Sequence, residues 1–358
     1  MRGLISIPLL LMLYGCTDAG YYWHSTKGHL DIMNERVDID ELLADDDLDS
    51  SLRARLVLVQ EIRQFSIDRL GLPDNGSYSS YVNLQQPYVI KNLFAAPELS
   101  TRLHQWCYPV IGCASYRGYY DEARLLAYVE KLQSDGLEVY IGRVPAYSTL
   151  GWFDDPVLSS FIDWPDYRLA GLLFHELTHQ QLYIDDDTTF NESLASAVQQ
   201  VGTTIWLQSN NQNASLDEFR RWLVYRDEAI ALIVATRSQL DELYSSGLSD
   251  DEKRQQKTLR FLEAREAHET IAARHDIERG FKSWFATGLN NAKIGSIAAY
   301  NSRVTAFVNM LEARDTDFAG FYQYVEQLGK LDRGPRDRCL DAWEKGVVAA
   351  GRICPGVD

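Results

Sequence analysis

Positive charge is scarce in this chain. Against 51 Asp and Glu stand 35 Lys and Arg, a formal net charge of −16 over 358 residues. A surface of that sign repels phosphates, which argues against nucleic acid and against electrostatic docking on anionic membranes. Cysteine is also scarce: the five present lack close paired spacing, and none resembles a zinc ligand. No internal repeat and no low-complexity linker interrupts the chain, which rules out a repeat array. The apolar run at the N-terminus is too short to span a bilayer, which takes about 20 residues as a helix. The 46% hydrophobic content is ample for a large core.

That apolar run has a different meaning. Met1-Arg2 precedes Leu4 to Leu13, followed by Tyr14-Gly15-Cys16. One positive charge, a short apolar stretch and a small residue before cysteine form a bacterial lipoprotein export signal over residues 1–15. Cleavage leaves Cys16 as the lipid-bearing N-terminus of a mature chain, 16–358, that is anchored and not spanning. Thr17 stands where an Asp would retain such a protein at the inner membrane, so outer-membrane attachment facing the periplasm of a Gram-negative bacterium is expected. An oxidising compartment suits the four remaining cysteines. Of their three possible pairings the simplest joins neighbours, Cys107–Cys113 and Cys339–Cys354.

Periodicity predicts helix from about Gly28 to Leu72, with Leu52, Leu56, Val59, Ile62, Phe65 and Leu70 near helical spacing. Short strands are expected at Tyr81-Val82 and Tyr88-Val89-Ile90, then a Cys-, Pro- and Gly-rich loop to about Tyr119. A helix over 121–134 turns at Asp135-Gly136 into a strand over Leu137–Val144. Tyr147 to Phe153 reads as a second strand of that sheet, against which an extended peptide can add as another strand. From about Tyr167 the chain reads as helical, in segments near 190–209, 214–246, 251–285, 291–312 and 316–329, with a short tail after 330. The class is α+β and predominantly helical, in one domain: a mixed part over about 20–160 and a helical body over about 165–330.

One segment of that body carries chemistry. Leu172 to Leu182 contains His175-Glu176-Leu177-Thr178-His179 inside an apolar helical run. Residues four apart share a helix face, so both imidazoles can converge on one ion, with Glu176 beside it as a base. With seven histidines in the chain, chance yields this pattern on the order of 0.01 times. A catalytic zinc takes three protein ligands and keeps a position open. Asp185 lies six residues after His179, but Leu182 occupies the place where that architecture needs a turn glycine. Glu192, opening the next helix with Thr188, Thr189 or Asn191 as cap, is favoured, and Ala195, Ser196 and Ala197 allow close packing of the two helices. For the oxyanion of a tetrahedral intermediate the candidates are Tyr300 and Tyr225.

The segments Tyr116-Arg117-Gly118-Tyr119, Ala146 to Phe153, His175 to Gln180, Asn191-Glu192-Ser193 and Leu289-Asn290-Asn291-Ala292 together resemble a bacterial family of predicted zinc aminopeptidases, outer-membrane lipoproteins of Gram-negative bacteria. The likeness runs from Gly20 to about Lys330, with His24 and His29 standing where glutamine is expected. It implies a zincin-like fold and a gluzincin-type site: one Zn2+ per chain on His175, His179 and Glu192, Glu176 as general base, and Tyr147, Ser148, Thr149, Leu150 and Gly151 lining the cleft for a peptide substrate. Two alternatives stand beside an aminopeptidase. One is a zinc endopeptidase. The other is a non-catalytic periplasmic binding or envelope-assembly lipoprotein whose structural zinc needs a fourth ligand, for which His104, His268 and His275 lack convincing spacing. The sequence leaves the oligomeric state open.

Overall fold

The computed structural model describes residues 16–108, 112–146, 149, 151–277, 280–298, 303–346 and 354. In chain order the elements are α1 (Cys16–Asn34), β1 (Val37–Asp38), α2 (Ile39–Ala44), α3 (Ser50–Leu70), β2 (Ser80–Val82), β3 (Ile90–Pro97), β4 (Trp106–Tyr108), β5 (Gly112–Ala114), β6 (Arg117–Tyr119), α4 (Glu122–Ser134), β7 (Leu137–Val144) and β8 (Val157–Leu158). Helices then follow one another: α5 (Asp166–Gln181), α6 (Thr188–Ser209), α7 (Asn213–Ser245), α8 (Asp250–Arg274), α9 (Phe281–Ala286), α10 (Asn291–Ala298), α11 (Val304–Glu312), α12 (Phe318–Gly329) and α13 (Arg333–Glu344). The class is α+β and predominantly helical, as the periodicity predicts.

The main sheet has the order β6-β3-β7, antiparallel throughout, with Asn92 of β3 opposite both Gly118 and Gly142. Side chains alternate across it. Leu93 and Ala95 face one way and pack with Leu125, Val129 and Leu132 of α4. Phe94 and Ala96 face the other way, against Ala292 of α10. A smaller sheet, β1-β2-β8, pairs β2 with β8 in parallel. The β4–β5 hairpin joins Cys107 to Cys113 at directly opposed positions, and a second disulfide joins Cys339 of α13 to Cys354. Both pairings are those expected of sequence neighbours.

The largest core lies among α3, α5, α6, α11, α12 and α13. α3 shows how the sequence builds it. Asp49 caps its N-terminus through Ser51 and Leu52 N–H groups, and Leu56, Val59, Ile62 and Leu70 bury one stripe completely. Each such side chain stabilises the fold by about 1.5–3 kcal/mol.

Several expectations change. The helix expected from Gly28 to Leu72 is split into α1, α2 and α3, because Asp38 and Asp49 cap new helices and Asp45 bonds the Asp47 N–H in place of a continuing helical turn. The long segment 251–285 breaks before α9, where Asp276 and Gly280 take positive φ values of 53° and 80°. The expected strand over 147–153 is a turn in its described part, with Trp152 N–H donating to the Thr149 carbonyl at 3.1 Å and Gly151 at φ 80°. Tyr147, Ser148 and Leu150 lie outside the described residues. Past residue 330 the chain forms α13 in place of a tail.

Candidate metal centre

α5 presents an apolar stripe to the core: Leu169, Ala170, Leu173, Phe174 and Leu177 are at most 1% exposed. That anchoring fixes the opposite rotation of the helix, where His175 and His179 lie one above the other. Its N-terminus is held by Arg55, which donates to Asp166 and to the Ile162 and Trp164 carbonyls. The helix ends at Leu182, whose N–H bonds the Thr178 carbonyl, and the chain reverses through 183–187 without a glycine.

The reversal is set by three side chains. Asn191 reaches back with both ends of its amide, accepting from Ile184 N at 2.8 Å and donating to Ile184 O at 2.7 Å. Asp187, not Thr188, Thr189 or Asn191, caps α6 by accepting from Phe190 N at 3.0 Å. Its other carboxylate oxygen takes Arg336 Nη2 of α13 at 2.6 Å, a pair buried on both sides. α6 then folds back along α5 with Ala195 and Ala197 fully buried, which carries Glu192 onto the histidines.

The result is a three-donor cluster. His175 Nε2 and His179 Nε2 are 3.3 Å apart, and Glu192 places Oε2 at 3.4 Å from the first and Oε1 at 3.6 Å from the second. All three ligand atoms lie within 4.8 Å of one another. Tetrahedral zinc with bonds of about 2.0–2.1 Å sets its ligand atoms about 3.3 Å apart, so the donor set fits that ion. Each histidine turns Nε2 toward the other ring and toward Glu192, so an imidazole with its proton on Nδ1 would offer the Nε2 lone pair to the shared point. Asp185 is exposed in the loop and is not brought to the cluster.

Electrostatics in the metal-free protein follow from crowding. Burial pushes the Glu176 carboxyl up to about 7; His175 opposes this, while Glu192 and Asp155 add to it. Burial also takes His179 down to about 4, with the charge on His175 contributing. For His175 burial acts downward, but the bond to Glu192 and the two carboxylates carry it above its ordinary value. Glu192 is opposed by burial yet held below the usual range by the two histidines.

Of the residues singled out for oxyanion binding, Tyr225 is placed elsewhere. It is fully buried, with its hydroxyl 2.8 Å from His268 Nε2 in the α7–α8 interface. Tyr300 lies outside the described residues. Two other phenols feel the charge of Glu192. The Tyr183 ring stands edge-on to His179, centroids 6.3 Å apart, and the negative charge of Glu192 adds to burial in raising its pKa. Tyr116, packed on Phe94, is raised by burial and then by Glu192. Tyr183 lies just past the extended Leu182 that ends α5, so helical spacing gave no signal for it. Tyr116 comes from the connection between β5 and β6; it heads a segment that carries the family resemblance, but nothing local relates it to the histidines. Two of the histidines weighed as a fourth ligand have other partners, His275 with Glu228 at 3.1 Å and His104 against Trp106.

The Leu289-Asn290-Asn291-Ala292 segment is a clamp. Asn290 donates to the Val139 carbonyl on the edge of β7, and Asn291 donates to the Pro97 and Glu98 carbonyls and accepts from Tyr244. Lys293, 2% exposed, donates to the Trp284 and Thr287 carbonyls that end α9.

Residues 20–340 match the model of a family described as "Putative aminopeptidase". No curated protein and no solved structure matches the chain.

Proposed function

Because the chain belongs to that aminopeptidase family, and so is read as a peptidase, we propose that it is a zinc-dependent peptide hydrolase that removes N-terminal residues, with a zincin-like centre on α5 and α6. The observation that carries this reading is the convergence of His175, His179 and Glu192 at 3.3–3.6 Å with Glu176 in the same turn of helix. His175 and His179 through Nε2, and Glu192 through its carboxylate, hold one ion per chain. When bound, zinc acts as a Lewis acid that polarises a peptide carbonyl and acidifies water.

The chain's own residues do the rest. Glu176 accepts the proton of the attacking water and returns it to the leaving amine nitrogen as the C–N bond breaks. Burial lifts this carboxyl to about 7 in the metal-free protein, and a cation on the three donors would favour the charged form that accepts the proton. The phenol of Tyr183 donates a hydrogen bond to the oxyanion formed as the carbonyl carbon becomes tetrahedral. Among the described residues no fourth side chain joins the three donors, which favours an open, catalytic position over a closed structural one.

The anchoring belongs to the same proposal. The export signal at residues 1–15 puts lipid on Cys16, and the chain acts on peptides from the periplasmic face of the outer membrane. No described helix is long and apolar enough to cross a membrane. The test of function is a peptide panel presented with free and with N-acetylated termini, assayed with one equivalent of zinc. Cleavage restricted to free termini is expected; preference for the blocked peptides would make the protein an endopeptidase.

A further inference from the structure

The residue after the second histidine turns away from the metal donors and ties the helix to two remote loops. Gln180 Oε1 accepts from Asn75 Nδ2 at 2.7 Å, and Nε2 donates to Asp155 Oδ2 at 3.0 Å. The hydroxyl of Ser77 lies within 3.2 Å of both ends of the amide. Ser77 and Asp155 are both nearly inaccessible to solvent, so this is a buried polar knot with its groups satisfied.

From the knot the chain projects a short turn. The Asp155 carboxylate accepts from Thr149 N at 3.0 Å. Thr149 closes the turn by donating its hydroxyl to Phe153 O at 2.9 Å and accepting from Phe153 N at 3.1 Å. Gly151 sits at φ 80°, a conformation that glycine alone adopts without strain. A Cβ built there would lie 3.9 Å from Gln180 Cβ, so the turn rests on the metal helix one residue past His179. Its far side is fixed too: Phe153 packs on His29 of α1 at 4.9 Å, and Arg36 donates to the Asp154 carbonyl at 3.0 Å. At the tip, Trp152 stands 85% exposed.

The turn thus presents an exposed indole next to the helix that carries His175 and His179, an amphipathic ring able to pack on an apolar group. We propose that Trp152 is a specificity-determining residue that packs against an apolar side chain of the peptide substrate, and that Gln180 is the positioning residue that holds it beside the metal helix. This rests on the peptidase reading for its choice of ligand.

The test measures binding, not turnover. Zinc-loaded Glu176→Gln protein is titrated calorimetrically with a peptide series in which phenylalanine replaces alanine at each position in turn. At one position the phenylalanine peptide should bind about five- to tenfold more tightly. Adding Trp152→Ala should erase that gain, adding Gln180→Ala should erase it with zinc content unchanged, and the two together should erase no more than either alone. Trp152 is exposed, so its variant keeps the fold and decides the matter even if Gln180→Ala does not. A gain that survives Trp152→Ala, no gain at any position, or additive losses would overturn the proposal. Loss in Trp152→Ala of binding to phosphatidylethanolamine–phosphatidylglycerol vesicles, with the phenylalanine gain intact, would overturn it in favour of a membrane contact. If the wild type cleaves nothing while this binding pattern holds, the peptidase reading falls and the role of Trp152 stands. If the wild type cleaves peptides while the gain survives Trp152→Ala, the role of Trp152 falls and the peptidase reading stands.

Discussion

Replacing Glu176 by glutamine should stabilise the metal-free protein, and only above acidic pH. The wild-type carboxyl is 9% exposed and its pKa rises from 4.5 to about 7 on folding. Its folded form therefore prefers the proton. The stability this group contributes is complete below pH 4.5 and is lost as pH rises through about 7, where the buried carboxyl must ionise. At about 1.4 kcal/mol per pH unit the loss reaches about 3 kcal/mol by about pH 8. Glutamine fills the same space and never ionises, so the variant escapes the loss. Urea unfolding of chelator-treated wild type and Glu176→Gln at about pH 4 and about pH 8 measures the difference; of the neighbouring groups, His175 loses the raising influence of Glu176 in the variant. Equal stability at acid pH and a gap of about 3 kcal/mol at alkaline pH are expected. A cation on His175, His179 and Glu192 favours the charged carboxylate beside it, so added zinc should narrow the gap. A gap that does not change with pH would refute the assignment of Glu176 to a crowded, water-poor position.

Three further outcomes are expected. Glu192→Ala should lower zinc affinity at least tenfold by competition with a chromophoric chelator, while Asp185→Ala leaves it unchanged; the opposite order would restore the rival ligand. Tyr183→Phe should lower kcat about 100-fold with KM and zinc content little altered, and undiminished kcat would remove Tyr183 from the oxyanion site. Arg336→Met strands the Asp187 carboxylate in the core and should cost about 3–5 kcal/mol in denaturant unfolding, whereas Arg336→Met with Asp187→Asn should cost less.

The helix with the two histidines, the candidate donor group and the helical body were legible because their signals are local: fourfold spacing on one helix, an apolar stripe, a carboxylate in the first turns of the next helix. The choice of Glu192 over Asp185 came from the missing turn glycine, and the structure brings Glu192 and not Asp185 to the histidines. What was illegible depends on partners distant in sequence. Asp187 became the cap because Arg336, 149 positions away, keeps it buried and oriented. Tyr225, chosen among twenty tyrosines, is held by His268 across a helix pair that no periodicity reveals. The stretch from Tyr147 to Phe153 is rich in strand-forming aromatic and β-branched residues, but the Thr149 side chain and Gly151 fold its described part into a turn.

The central claim is that His175, His179, Glu192 and Glu176 make one metal-dependent peptide-cutting centre. It is tested most directly by following hydrolysis of a free-amine peptide library by the chelator-treated protein, then with one equivalent of zinc, with zinc-loaded Glu176→Gln in parallel. The account predicts no turnover without metal, recovery at one zinc per chain, and none in the variant despite full zinc. Turnover in the metal-free protein or in Glu176→Gln would contradict it.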